Sequence, residues 1–334
     1  MLSTVPPTSC LRCAEPVGVR DRFCEACGIR VAGYPAEGCV ACGARNIGPD
    51  RYCLRCGRLQ PSQRDRIEVD LGTAAGVSDR GVRRRRNEDA LALRQLGYAG
   101  DGIDAILAVV CDGVSTTHRP DAASKAACEA GADAMVAALR THGSAEAATS
   151  AAIRVAHQAV VGLADPSAAG HAPACTYVSA LITGGSVAVG WIGDSRAYWI
   201  PDPRHRQNPA AQLTGDDSWR AQVVASGAMS AAEAAGNRRA HEITGWLGAD
   251  ADPIQPHLVT IELAGPGVLV VCTDGLWNYF QTTEQLAAVI PPDVREAPLR
   301  AAKELVRIAV QAGGHDNITV AVLPFVTPSP GGTW

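Results

Sequence analysis

Apolar runs bounded by turn residues mark the strands that the sequence predicts. Two of them, 106–112 and 268–274, are continuous and β-branched, which is typical of buried strands. Two others, 176–182 and 187–192, flank Gly184-Gly185 as the arms of a hairpin would. The pattern therefore predicts buried strands and a hairpin in the part of the chain that follows residue 70.

Three longer segments have a helical pattern. They combine Ala, Leu and Val with charged residues, as helices that cover a sheet do: 121–139, 145–163 and 296–311. Four single cysteines in or beside these elements are interpreted as small buried hydrophobic residues: Cys111, Cys128, Cys175 and Cys272. Strands and helices together predict a mixed α and β class.

Composition limits the number of domains. The chain has 334 residues, of which 47% are hydrophobic and 19% charged, enough for one full domain and one small module. No apolar run is long enough to cross a membrane, and the first residues lack the order of a signal peptide. We therefore expect a cytoplasmic protein with no membrane partner.

A repeat of cysteine pairs occupies the beginning of the chain. Four CxxC pairs are separated by ten, eleven and ten residues: Cys10, Cys13, Cys24, Cys27, Cys39, Cys42, Cys53 and Cys56. This spacing is typical of structural zinc sites, in which each tight turn supplies two thiolates. A disulfide or redox role is the alternative, which a cytoplasmic setting disfavours. The segment resembles a double zinc ribbon with two structural Zn²⁺ ions.

Charge indicates what the ribbon binds. Residues 1–66 carry ten basic and six acidic side chains, and the negative charge of eight thiolates on two Zn²⁺ ions cancels that excess. A near-neutral module is a poor match for a phosphate backbone. A protein partner is therefore favoured over nucleic acid. A module this small also needs the metal to fold.

The domain boundaries follow from these patterns. We predict the double zinc ribbon at 1–60, a polar linker at 61–71, the large domain at 72–325 and a tail at 326–334. The linker is assigned because the sequence PSQRDRIEVD is short, polar and begins with proline.

Acidic residues recur beside the apolar runs. The motifs are Asn87-Glu88-Asp89, Asp112-Gly113, Gly193-Asp194, Asp274-Gly275 and Asp316-Asn317. Each pair alone is a common turn former. Several carboxylates held rigidly at strand ends suit hard divalent cations, which bind through oxygen.

Five ordered motifs resemble the metal-dependent serine/threonine protein phosphatases of the PPM family, also called type 2C. They are RRRRNED, VVCDGV, WIGDSRAYWI, VVCTDGLWNY and GGHDNITVAV. The resemblance covers about residues 72–325. It implies an α+β fold of the α-β-β-α sandwich type, with two antiparallel sheets flanked by helices and a two-metal centre at one end.

The resemblance also implies roles for single residues. Asp112 would bridge two Mn²⁺ or Mg²⁺ ions, and the Gly113 carbonyl would bind one of them. Asp274 and Asp316 would complete the shell of the other ion. Glu88 and Asp89 would hold the first ion directly or through water, and Asp194 would contribute to a third, weaker site. Arg84 lies five residues before Asp89, where the family has the arginine that grips the substrate phosphate.

The implied activity is hydrolysis of phosphoserine and phosphothreonine in proteins. Two cations would bind the anionic ester and lower the pKa of a bridging water that attacks phosphorus in line. The partners would be phosphorylated proteins, among them a Ser/Thr kinase or its substrates. The alternative is a pseudophosphatase that binds phosphoproteins without turnover and docks through its ribbon.

Three segments depart from the family pattern. The family usually continues after Asp-Gly with Met or His and then glycines, whereas this chain has Val114-Ser115-Thr116-Thr117. The other departures are Cys175-Thr176-Tyr177 and Gly245, where the family has Gly-Thr-Thr and an arginine. They affect the expected substrate range and turnover. By resemblance, 214–236 forms the flap beside the cleft.

Overall fold

The computed structural model describes residues 39, 42, 44–48, 52–57, 60, 65–97, 105–141, 143–165, 172–204, 209–251, 253–280 and 282–326. The strands are β1 (Arg66–Asp70), β2 (Ala75–Asp79), β3 (Ala90–Leu96), β4 (Ala105–Cys111), β5 (Ala174–Cys175), β6 (Tyr177–Thr183), β7 (Ser186–Ile192), β8 (Arg196–Pro201), β9 (Ala211–Gln212), β10 (Leu247–Gly248), β11 (His257–Glu262), β12 (Gly267–Cys272) and β13 (Ile318–Phe325). The helices are α1 (Pro120–Arg140), α2 (Ala145–Val161), α3 (Trp219–Ala225), α4 (Ala231–Ala235), α5 (Asp274–Trp277), α6 (Thr283–Val289) and α7 (Pro298–Gln311).

Two antiparallel sheets form the centre of the large domain. Sheet A has six strands in the order β1-β2-β13-β12-β8-β9, and sheet B has five in the order β11-β7-β6-β4-β3. Helices α1 and α2 pack on sheet B, and α7 packs on sheet A. The result is the α-β-β-α sandwich that the resemblance implied, so the predicted fold class is confirmed.

Side-chain alternation along the strands creates three apolar layers. On β12, Val270 faces the layer that contains the α7 residue Leu305, while Val271 faces the layer between the sheets. On β4, Val109 faces the layer that contains Met135 of α1. Both strands are buried on both sides, because successive side chains point to opposite faces of a strand. This explains why their sequences are continuously apolar.

The predicted helices and strands match the structure closely. Helices α1, α2 and α7 correspond to the predicted segments 121–139, 145–163 and 296–311, and their ends differ from the prediction by at most two residues. Strands β6 and β7 form the predicted hairpin. The four single cysteines are buried, with at most 1% exposure. Within the described part of the chain, no helix is both long and apolar enough to span a membrane.

The prediction that 61–71 is a linker is wrong for its second half. Residues 66–70 form β1, which pairs antiparallel with β2 over five residues. Strand β1 lies at the edge of sheet A and is largely exposed, so its sequence is polar and lacks the apolar pattern of the inner strands. The large domain therefore begins several residues before position 72.

Candidate metal centre

The candidate site is a cleft of about 650 Å³ at one end of the sandwich. Neighbouring strands of each sheet are antiparallel, so some strands end at this edge and others begin there. Asp112 follows β4, Asp194 comes just after β7, Asp274 follows β12 by one residue, and Asp316 precedes β13. All four aspartates line this cleft, although up to about two hundred residues separate them in the sequence.

Asp89 lies at the junction of the two sheets. Its Oδ2 atom accepts hydrogen bonds from Thr273 Oγ1 (2.9 Å) and Thr319 Oγ1 (2.7 Å) of sheet A. Among the residues that the structure describes, none offers a hydrogen bond to its Oδ1 atom. Burial, together with the charges of Asp316 and Asp274, raises the pKa of Asp89 to about 7. One carboxylate oxygen is thus fixed and the other is left for a further ligand.

Asp274 has a similar environment at the first position of α5. Its Oδ2 atom accepts a hydrogen bond from Asn278 Nδ2 (3.2 Å), and its buried Oδ1 atom has no hydrogen-bond partner within the described ranges. Burial, and then the charge of Asp316, raises the pKa of Asp274 to about 6. Burial and neighbouring carboxylates also raise the pKa of Asp112 and of Asp194.

These carboxyl groups fit hard divalent cations. All the donor atoms are oxygens, and two buried oxygens have no partner in the part of the chain that the structure describes. Mutual repulsion also makes full ionisation costly without positive charge. A divalent cation would remove that cost and supply the missing partners.

Gly113 and Gly275 let the backbone approach closely at this site. A Cβ atom on Gly113 would lie 2.6 Å from the carbonyl oxygen of Pro120 and 2.7 Å from that of Glu88. On Gly275 it would lie 1.8 Å from the carbonyl oxygen of Asn317. Only glycine fits at either position, which explains why an aspartate is followed by glycine in two of the motifs.

Glu88 stands behind the cleft and is fixed from several sides. Its backbone N–H donates to Asn317 Oδ1 (2.7 Å). Its Oε1 atom accepts from Arg86 Nε (2.6 Å), and its Oε2 atom accepts from Ser115 Oγ (2.6 Å). The protein therefore engages both carboxylate oxygens of Glu88, whereas the described residues engage only the Oδ2 atom of Asp89.

Arg84 supplies positive charge on the wall of the cleft. Its Nη2 atom donates to Asp316 Oδ2 (2.5 Å) and its Nη1 atom donates to Ser115 Oγ (3.0 Å). The hydrogen bond to Asp316 raises the pKa of Arg84 above its already high value. The other arginines of the run, Arg83, Arg85 and Arg86, are exposed.

The loop of Asp194 is held by a stack of side chains that the sequence did not predict. The Asp194 carbonyl accepts from Trp277 Nε1 (2.9 Å), and the Arg196 guanidinium lies 3.6 Å from the Trp277 ring centroid. Arg196 also makes two hydrogen bonds with Asp216, at 2.8 and 2.6 Å. Gly193, with φ of 103°, allows the turn before Asp194. This stack ties 214–218 to the aspartate loop.

A second candidate metal site is formed by thiols. The Sγ atoms of Cys39, Cys42, Cys53 and Cys56 all lie within 4.8 Å of one another. Four thiols at this separation suit tetrahedral zinc, since Zn–S bonds of about 2.3 Å place the sulfurs slightly under 4 Å apart. Gly57, after the last cysteine, has the positive φ (69°) expected of such a turn. The other predicted ligands, Cys10, Cys13, Cys24 and Cys27, lie outside the described residues.

The structure brings the remaining predicted site residues together. Those that line the cleft are Arg84, Asp112, Gly113, Asp194, Asp274 and Asp316, and Glu88 and Asp89 adjoin it. Sequence reasoning missed Ser115, Thr273 and Thr319, which hold Arg84, Glu88 and Asp89. Both threonines lie inside the motifs given above. Thr273 directly precedes Asp274, and Thr319 lies two residues after Asn317.

Comparison with known proteins identifies the family. The family model for protein phosphatase 2C matches residues 81–303, more than half of the chain. The chain therefore belongs to the protein phosphatase 2C family. Asp316 lies beyond the matched residues, and the fold brings it into the cleft.

Bacterial phosphatases are among the similar proteins. The serine/threonine protein phosphatase PstP of Mycobacterium tuberculosis is 28% identical over 258 residues, which cover 75% of this chain and 45% of PstP. The crystal structure of the PPM Ser-Thr phosphatase MsPP from Mycobacterium smegmatis in complex with cacodylate is 27% identical, with a TM-score of 0.58, over 78% of this chain and 100% of MsPP.

A third comparison concerns metal. The catalytic domain of PstP, in a crystal structure with two manganese ions, is 26% identical with a TM-score of 0.55, over 76% of this chain and 98% of that domain. The chain spans about half the length of the first curated relatives, namely 45% of PstP and 50% of the Streptococcus pneumoniae protein phosphatase PhpP.

Proposed function

We propose that this protein is a metal-dependent phosphatase that removes phosphate from serine and threonine residues of proteins. The observation that carries the proposal is the convergence of four aspartates and Arg84 in one cleft, where one buried oxygen of Asp89 and one of Asp274 have no hydrogen-bond partner among the described residues. Membership of the protein phosphatase 2C family supports it.

The proposed cation ligands are the residues that the resemblance implied. They are Asp112, the carbonyl of Gly113, Asp274 and Asp316, with Glu88 and Asp89 beside them and Asp194 at a third, weaker site. We propose Mn²⁺ or Mg²⁺, because all the donors are oxygens and a related PstP domain holds two manganese ions. When bound, such cations supply positive charge for the phosphate and lower the pKa of a water that attacks phosphorus.

The chain itself binds and orients the substrate. Arg84 carries a planar fork of N–H donors, which can meet two phosphate oxygens at once. Thr273 and Thr319 fix one oxygen of Asp89, so the other stays directed away from the two hydroxyls. Trp277 fixes the backbone that carries Asp194. These contacts hold the groups in place before substrate arrives, which reduces the entropic cost of reaction.

The thiol cluster is proposed to hold a structural Zn²⁺ ion, and the four earlier cysteines a second one. We keep the predicted double zinc ribbon at 1–60 as a module that docks a protein partner, with a phosphatase domain that begins at β1 and a short tail after residue 325. A cytoplasmic setting belongs to the same proposal, because a reducing compartment keeps metal-binding thiols free of disulfides. The substrates would be phosphorylated proteins, including those of a Ser/Thr kinase.

The test is hydrolysis of phosphoserine and phosphothreonine peptides by the full chain with Mn²⁺, Mg²⁺ or neither. We expect cation-dependent release of phosphate and a loss of at least about a hundredfold in Asp274→Asn, which removes a proposed ligand. Folded protein that releases no phosphate with any cation, but still binds phosphoproteins, would instead support the pseudophosphatase.

A further inference from the structure

Ser115 links two charged groups of the cleft through one hydroxyl. Its Oγ atom donates to Glu88 Oε2 at 2.6 Å and accepts from Arg84 Nη1 at 3.0 Å. The hydroxyl thus acts as donor and acceptor at once: it donates its proton to the Glu88 carboxylate, and its lone pair accepts from the Arg84 guanidinium. This chain has a serine here where the family pattern has glycine, which has no side chain to make either contact.

The backbone that carries Ser115 is held firmly. Val114 N donates to the Ala174 carbonyl at 3.0 Å, and the Val114 carbonyl accepts from both the backbone N (2.9 Å) and the Oγ1 atom (2.7 Å) of Thr117. Gly113 before it is packed too closely for any side chain. Because the turn is fixed on both sides, the hydroxyl occupies a defined position on the cleft wall.

Glu88, the partner of Ser115, is equally fixed. Arg86 holds its other carboxylate oxygen at 2.6 Å, and Asn317 holds its backbone N–H at 2.7 Å. The Ser124 hydroxyl donates to the Glu88 carbonyl at 2.5 Å. Both Glu88 oxygens keep these protein partners if Glu88 meets a cation through water, so the carboxylate still fixes the Ser115 hydroxyl, which in turn fixes Arg84.

Arg84 depends on this support. The side-chain hydrogen bonds of its guanidinium within the described residues go to Asp316 and to Ser115. Asp316 is itself a proposed cation ligand, so a bound cation competes with Arg84 for that carboxylate. Ser115 is then the contact that keeps a long, flexible side chain in the cleft, where ordering it only on substrate binding would cost affinity.

We propose that Ser115 is a positioning residue that sets the affinity of the site for the substrate phosphate by fixing Arg84. The inference rests on the proposed function, because it assigns phosphate binding to Arg84. The proposal predicts the direction of the effect: loss of the Ser115 hydroxyl weakens phosphate binding and leaves the rate of the chemical step unchanged. A role in cation binding through Glu88 would change Mn²⁺ affinity as well.

The experiment compares wild type with Ser115→Ala and Ser115→Thr in the full chain. KM and kcat are measured on a phosphothreonine peptide with saturating Mn²⁺, and calorimetry measures inorganic phosphate and Mn²⁺ binding without turnover. We expect Ser115→Ala to raise KM and the phosphate Kd about tenfold, the lower end of the worth of one hydrogen bond to a charged group, with kcat within about twofold. Ser115→Thr should retain most of the affinity.

Ser150→Ala is the matched control. Ser150 on α2 accepts from Arg154 Nη1 at 2.6 Å, which is the same chemical pair outside the cleft, and its loss should change none of these values. Unchanged phosphate affinity in Ser115→Ala, or an equal loss of Mn²⁺ affinity, would overturn the inference. Weaker phosphate binding in Ser115→Ala would support it even if wild type hydrolysed no peptide, a result that would count against the proposed function alone.

Discussion

The buried carboxylates should make the cation-free protein less stable as the pH rises. Asp89 and Asp274 have pKa values of about 7 and about 6 in the folded protein, whereas an unperturbed aspartate has a pKa of about 3.9. Between these values the folded state keeps protons that the unfolded chain has already released. The contribution of these two groups to the free energy of unfolding therefore falls from about pH 4 to about pH 7, and it levels off above their folded pKa values.

The size of the effect follows from the change in proton affinity. A difference of one pKa unit between the folded and unfolded states corresponds to about 1.4 kcal/mol of stability. Folding raises the pKa of Asp89 by about three units, so this residue alone lowers the free energy of unfolding by about 4 kcal/mol between about pH 4 and pH 7. Asp274 titrates in the field of the same carboxylates, so its share does not simply add. For a protein of this size, a loss of 4 kcal/mol lowers Tm by about ten degrees.

Urea unfolding, followed by tryptophan fluorescence from pH 5 to pH 8, measures the part of this loss that falls above pH 5, which is about 3 kcal/mol for Asp89. The protein is dialysed into buffer without divalent cations and without a chelator, so that tightly held thiolate-bound metal is retained. Saturating Mn²⁺ should raise stability most at the high end of the range and flatten the slope. Asp89→Asn keeps an oxygen that can accept from Thr273 and Thr319, and it should make the slope shallower without abolishing it, because Asp112, Asp194 and Asp274 still have raised pKa values. A free energy of unfolding that does not change with pH, or a slope that is as steep with Mn²⁺ and in Asp89→Asn as in the cation-free wild type, would refute the reasoning.

Two further predictions concern the charged wall of the cleft and the thiol cluster. Arg84→Lys should raise KM for a phosphothreonine peptide by about tenfold with a smaller change in kcat, because a single ammonium replaces a two-pronged donor; an unchanged KM in steady-state kinetics would contradict the assigned role. Cys53→Ser should reduce the zinc content by one ion per chain in elemental analysis. The control Cys272→Ser, in a buried strand, should leave the zinc content unchanged. Equal zinc content in both variants would exclude the cluster as a zinc site.

Inner strands and long helices could be predicted from the sequence because their burial is visible in it. Strands β4 and β12 lie between two apolar layers and are apolar throughout, and α7 has a clear two-sided pattern. Strand β1 could not be found in this way. It is an edge strand with one pairing partner, and its five residues alternate charged side chains with Ile67 and Val69, a pattern too short to stand out from a polar linker.

The aspartates of the site could be predicted, but the residues that hold them could not. Each aspartate lies next to an apolar strand and a glycine or asparagine, which is a local pattern. The contacts of Thr319 and Thr273 with Asp89 join residues 230 and 184 positions apart, and no local pattern encodes such a distance. Ser115 looked like a simple departure from the family pattern until its contacts with Arg84 and Glu88 were known.

The central claim is that the carboxylate cleft holds the cations on which phosphate hydrolysis depends. Anomalous diffraction from crystals of the full chain soaked in Mn²⁺, recorded at the manganese and zinc edges, tests it most directly. We predict manganese peaks in the cleft, in contact with Asp112, Asp274 and Asp316, and a zinc peak among Cys39, Cys42, Cys53 and Cys56. A cleft that stays free of manganese at saturating Mn²⁺, or manganese bound only elsewhere, would contradict the claim.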